Sequence, residues 1–190
     1  MSDLTITHAG STVTTSSDGG LNKGAVIRVS PTLDTSAYAD NDVFFNATEI
    51  PKAVRTKGGV SKLISINILN EDDAAHDFDL IFMQVSTNLG TINDAVGSGS
   101  LWTNALAKAA KPLGFFLVDW SDSSTDLVNN LIHTNAQGFG YTAEHVAQLP
   151  ILLQAESDST SVYVAAVSRG GTPTTAADDY EFAFSVEYLS

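Results

Sequence analysis

The stretch of the chain richest in reactive side chains is ILNEDDAAHDFDLIFMQ, residues 68–84. Four aspartates, one glutamate and one histidine fall within Glu71–Asp79. Carboxylates and imidazole ligate hard and borderline cations, and a carboxylate beside a histidine is the start of an acid–base pair. A calcium loop of the EF-hand kind needs acids at alternate positions, a central glycine and a closing glutamate. Residues 71–79 have neither the glycine nor the spacing. Zinc needs several converging ligands, and the other histidines, His8, His133 and His145, stand in separate segments without an H-E-x-x-H pattern. The flanking segments, Val60 to Leu69 and Phe78 to Val85, both read as strands. NEDDAAH is then the right length for a hairpin connection, and its Asn and Asp side chains bond nearby backbone while keeping the tip in water. The expectation is a solvated turn at 71–79, with a weak calcium site in that stretch or catalysis as the alternatives; a divalent ion held jointly by Asp72, Asp73 and His76 would overturn it. No catalytic, cofactor-binding or metal residue is assigned.

Other chemical patterns lack their context. GFGYTA, Gly138 to Ala143, fits G-x-G-x-x-A, but a dinucleotide site needs a preceding strand and a following helix inside a βαβ unit. Here the segment before it, TNAQ, is polar. VGSGSL lacks the lysine of a phosphate loop, and no G-x-S-x-G elbow is present. Asn46-Ala47-Thr48 matches the glycosylation triplet, and no secretory signal supports it. Trp102 and Trp120 are large enough to stack on a sugar, and as large apolar residues they also suit packing. Lys52, Arg55, Lys57 and Lys62 gather four of the nine basic residues within eleven positions. That local reversal of sign marks either a solvated loop or a docking patch for an acidic partner surface.

The elements that carry these residues are mostly strands. Ala25, Ile27 and Val29 alternate with Val26, Arg28 and Ser30. Val60, Ile64, Ile66 and Ile68 alternate with polar residues including Ser61, Ser65 and Asn67. Tyr180, Phe182, Phe184, Val186 and Tyr188 alternate with Glu181, Ser185 and Glu187. Alternate side chains of a strand face opposite sides, so each pattern predicts one buried face. Phe78 to Val85, Phe115 to Val118 and Val162 to Val167 are apolar on both faces. Such runs suit central strands, or strands that also meet a partner. SLWTNALAKAAKP predicts a helix capped by Ser100, with Trp102, Leu106 and Ala109 on one side and Pro112 as its stop. TAEHVAQLP, residues 142–150, predicts a second short helical turn. Residues 1–20 are rich in Ser, Thr and Gly and predict an extended arm or edge strand. No βαβ alternation appears.

The fold class expected is all-β and mainly antiparallel: one β-sandwich, jelly-roll-like, over residues 21–190. It carries one or two short helices and an N-terminal arm at 1–20. The 190 residues suit one domain and include no cysteine, so disulfides and thiolate metal sites are excluded. A formal net charge of −13 repels a phosphate backbone and disfavours nucleic acid. No apolar run approaches the ~20 residues of a membrane helix.

YADNDVFFNATEIPKAVRTKGGVSKLISINILNEDDAAHDFDLIFMQ and the later LPILLQAESDSTSVYVAAVSRGGTPT carry a resemblance. The first runs from an extended segment through A-V-R…G-G, a strand and a D-D turn to a D-L-I-F strand. The second sets an L-P strand and a polar turn before a strand that ends in an R-G-x-T-P loop at Arg169 to Pro173. Together they cover about two fifths of the chain, and they resemble small virion proteins of tailed bacteriophages, the capsid decoration or cement proteins. The resemblance implies a non-catalytic sandwich without a cofactor, made in the host cytoplasm and carried on the outer capsid surface of the virion. Its partners would be the major capsid protein and copies of itself, with a homotrimer as the expected assembly. The alternative from the scaffold class is a carbohydrate-binding module or lectin-like adhesion domain.

Overall fold

The computed structural model describes residues 4–8, 11–15, 23–71, 76–97, 103–119, 124–126, 131–135, 149–170, 174–177 and 179–189. The chain runs β1 (Leu4–His8), β2 (Ser11–Thr15), β3 (Gly24–Val29), β4 (Val43–Ile50), β5 (Val60–Asn70), β6 (Phe78–Met83), α1 (Asn104–Ala109), β7 (Pro112–Val118), β8 (Ser124–Asp126), β9 (Leu131–Asn135), β10 (Ile151–Gln154), β11 (Val162–Ser168) and β12 (Tyr180–Tyr188). Every pairing between strands is antiparallel. One sheet has six strands, with β3-β12-β5-β9-β8 in order and β10 also on β5. The other has four, ordered β4-β11-β6-β7. β1 and β2 pair with each other, Leu4 opposite Thr15, in a ladder that belongs to neither sheet.

The main core lies between the sheets and is built from the alternating residues of facing strands. Phe182, Phe184 and Val186 of β12 and Ile27 and Val29 of β3 point inward, as their period of two predicts. Phe182 and Phe184 stack at 5.9 Å, and Tyr38, Phe44, Phe78 and Tyr180 meet largely edge to face. Such aromatic pairs contribute about 0.5–1.5 kcal/mol each beyond their buried area.

β5 departs from the alternation read from its sequence. Its pairing with β12 slips between Ser185 and Val186, so Ser65 faces Ser185 while Leu63 faces Val186. Ile64 is the extra residue of this bulge. The inward set is therefore Ser61, Leu63, Ile66 and Ile68, and Ile64 is 43% exposed. Ser61, expected on the wet face, is fully buried and donates its hydroxyl to the Ala53 carbonyl at 2.7 Å.

The two-sided apolar runs have a local cause. All three lie in the four-stranded sheet, whose outer face carries a second cluster of Val43, Met83, Leu89, Ala110, Ala165 and Val167. The long connection between β6 and β7 supplies Leu89, Val96 and Ala110 to this cluster. Bridges Val43↔Ile92 and Asp42↔Ala95 fasten the same connection to the side of β4. A segment of this chain thus covers much of the face that the sequence left open to a partner.

The helix is shorter than its sequence predicts. α1 spans Asn104–Ala109, is capped by Thr103 rather than Ser100, and buries none of its residues. Thr103 Oγ1 accepts from the Leu106 N–H at 3.3 Å. Ser100, Trp102 and most of the predicted turn at 142–150 lie outside the described residues.

Candidate functional site

The acidic stretch is not a hairpin. β5 belongs to the six-stranded sheet and β6 to the four-stranded one, so the two strands are not partners and the chain passes from one layer to the other between them. Sequence reasoning missed this because the true neighbours, β12 for β5 and β11 for β6, are distant in the chain. The described members of the stretch are dispersed. Glu71 is exposed, while Asp79 lies within β6 and pairs with Arg169 across the outer face. Asp72 and Asp73 lie outside the described residues. Among the described residues no group of three His, Asp or Glu side chains is arranged to hold a metal ion.

His76 goes into the core. It is 2% exposed, with ring centroids 4.6 Å from Phe44, 5.9 Å from Tyr38 and 6.0 Å from Phe78. Its Nε2 lies 2.9 Å from Ser168 Oγ, and Nδ1 has no hydrogen-bond partner among the described residues. Burial penalises the imidazolium and pushes the pKa down to about 4. At neutral pH this histidine is an uncharged member of an aromatic cluster.

The glycosylation triplet is also structural. The Asn46 amide donates to the Gly90 carbonyl at 2.8 Å, and its oxygen accepts from the Leu89 N–H at 2.9 Å. It clamps the covering segment onto β4.

The basic cluster has the most defined geometry on the surface. Lys52, Arg55 and Lys57 are exposed on the connection between β4 and β5, which crosses from one sheet to the other. Ala53 and Val54 anchor it in the core. Backbone bonds hold it to the turn between β10 and β11: Val54 N–H to Thr160 O at 3.1 Å, Gly58 N–H to Ser159 O at 3.0 Å and Ala155 N–H to Gly59 O at 3.3 Å. The Tyr188 hydroxyl donates to the Lys52 carbonyl at 3.0 Å, where Lys52 adopts a left-handed φ of 54°. Lys62 follows on β5 at the same end, with its ammonium 3.9 Å from Glu187. The structure therefore brings the four predicted residues together. Lys52, Arg55 and Lys57 are exposed on this connection, a basic arch between the two sheets, and Lys62 lies beside Glu187.

Sequence reasoning singled out Phe115 only as part of a two-sided run. It is 49% exposed on the outer face of β7, beside Ile81 of β6. Trp102 and Trp120 lie outside the described residues.

No protein-family model matches the chain, and no curated protein matches it as a relative.

Proposed function

We propose that the protein is a non-catalytic structural component of a bacteriophage virion that docks on the outer capsid surface. The observation that carries this reading is the basic arch. Lys52, Arg55 and Lys57 are held outward by a backbone fixed at both ends, on a chain of net charge −13. A preorganised cationic loop on an anionic body orients the molecule toward an acidic partner surface and speeds encounter.

The fold is compatible with this role. Set aside β8 and β9 and number the sandwich strands in chain order. The sheets then run 1-8-3-6 and 2-7-4-5. That order supports the jelly-roll reading of the sandwich, an architecture that recurs in viral capsid and lectin domains. The β1–β2 ladder, outside both sheets, supports a role for residues 1–20 in attachment to a neighbouring subunit.

The test is co-sedimentation with shells assembled from the major capsid protein of the same virus. Reversing the arch with Lys52→Glu, Arg55→Glu and Lys57→Glu should weaken binding at least about tenfold and flatten its salt dependence. Deleting residues 1–20 should weaken binding further while leaving the sandwich folded. Shell binding that is indifferent to the arch reversal would refute the docking surface named here.

A further inference from the structure

We infer that the whole end of the sandwich bearing the arch is one docking surface, so that the molecule stands end-on against an acidic partner surface. This rests on the capsid-docking reading above and extends it from one loop to an orientation. Strand directions define the end. β4, β6, β10 and β12 finish there, and β3, β5, β7 and β11 begin there, as their antiparallel registers require. The arch places Lys52, Arg55 and Lys57 at this end, and Lys62 follows near the start of β5. Lys23 joins them, its carbonyl accepting the Tyr188 N–H at 2.7 Å. Lys108 and Lys111 join from the other sheet, where α1 ends and β7 begins. The Lys111 ammonium bonds Glu156 at 2.7 Å, and Glu156 belongs to the turn between β10 and β11 that holds the arch. Seven of the nine basic residues of the chain therefore stand at one end, and all of these but Lys62 are exposed.

The remaining two, Arg28 and Arg169, lie toward the opposite end and are each paired with a carboxylate, Glu181 and Asp79. The carboxylates follow the reverse pattern. Asp40, Asp42, Glu71, Asp77, Asp94 and Asp179 gather at the opposite end. Backbone bonds tie their segments together there, among them Glu71 N–H to Asp179 O and Arg169 N–H to Asp77 O, both at 2.8 Å. Among the described residues, Glu49, Glu156, Asp158 and Glu187 are the carboxylates that stand with the lysines. The 11 residues of β5 run from one end to the other, about 35 Å at about 3.3 Å per residue. Salt at physiological strength screens exposed charges beyond about 8 Å. The ends are several screening lengths apart, so the acidic end does not cancel the field at the basic one. A chain of net charge −13 can then approach an acidic surface basic end first, and is repelled in the reverse orientation. Leu189, 47% exposed and bonded through its N–H to Val60 O at 3.0 Å, offers an apolar contact at the same end.

Shell co-sedimentation and cysteine footprinting of the full chain test it. Lys23→Glu combined with Lys108→Glu reverses two charges outside the arch and should weaken shell binding at least about tenfold. Thr35→Glu, which adds a negative charge at the opposite end, should leave binding within about twofold. The chain has no cysteine, so Ala109→Cys on α1 and Thr35→Cys each give a single maleimide target. Both positions are exposed. On shells, labelling of Ala109→Cys should slow at least about tenfold, and labelling of Thr35→Cys should keep its free rate. Unchanged circular dichroism spectra establish that the variants fold. Suppose the arch reversal weakens binding while the Lys23→Glu, Lys108→Glu pair and the Ala109→Cys label are indifferent. The end-on surface is then overturned, and the capsid reading stands with docking confined to the arch. Protection of Thr35→Cys on shells would overturn the orientation. A wild type that does not bind shells would sink both.

Discussion

Replacing His76 with glutamine should flatten the acid limb of the stability profile. In the folded chain the ring is packed against Tyr38, Phe44 and Phe78, with Ser168 as its hydrogen-bonding neighbour, and it resists protonation until about pH 4. In the unfolded chain the same ring takes up a proton near its ordinary value of 6.5. The pKa is depressed on folding, so its full stability contribution is present above pH 6.5 and is lost as pH falls toward 4. At about pH 5 the unfolded state is favoured by ~2 kcal/mol through this one group, since each pKa unit corresponds to about 1.4 kcal/mol. Below about pH 4 the loss levels off near ~3 kcal/mol. Glutamine can keep a donor toward Ser168 and has no proton to gain. Urea unfolding of both chains at about pH 8, 7, 6 and 5 gives the comparison, and titrations common to both cancel in the difference. The wild type should lose ~2 kcal/mol more than His76→Gln between pH 8 and pH 5. Parallel profiles would mean that His76 is protonated equally in the two states, and the buried neutral imidazole would be wrong.

Three further outcomes follow from the packing. Leu63→Ala should destabilise by about 2–5 kcal/mol, while Ile64→Thr changes stability by under ~1 kcal/mol, because the bulge turns only the former inward; thermal unfolding of both distinguishes the registers. Gly24→Ala should cost about 1–3 kcal/mol in the same assay, since a Cβ there would sit 2.5 Å from the Val186 carbonyl oxygen and the strand must shift. Ser61→Ala should cost about 1–3 kcal/mol by leaving the Ala53 carbonyl without its buried donor, read from the urea midpoint.

The architecture was legible where burial follows a simple period. β3 and β12 were assigned to the core from alternation alone, and the all-β class followed from many such segments. The errors share one cause, which is information held between distant segments. A bulge at Ile64 depends on β12, so the local pattern of β5 pointed to the wrong inward set. The acidic stretch looks like a hairpin locally, because nothing in Glu71–Asp79 names the sheet to which each flank belongs. His76 was grouped with its acidic neighbours by proximity in sequence, yet its ring packs against Tyr38 and Phe44 from earlier segments as well as against nearby Phe78. Asn46 carried no local sign of its task, since both of its partners lie in the connection beyond β6. The basic cluster was visible because its members are consecutive enough to share one loop. Its rigidity was not visible, because that comes from Ser159, Thr160 and Tyr188.

The segment laid over the outer face of β4 and β11 also bears on how this molecule tolerates editing. A long, Gly- and Ser-containing excursion between two strands invites trimming or replacement with a short linker. Here such a deletion would strip Leu89, Val96 and Ala110 from Val43, Met83, Ala165 and Val167 and expose a greasy plane to water. The shortened chain should precipitate or recruit foreign chains even if its two sheets still close. Reporter insertions belong elsewhere, since this excursion is in effect a third layer of the fold.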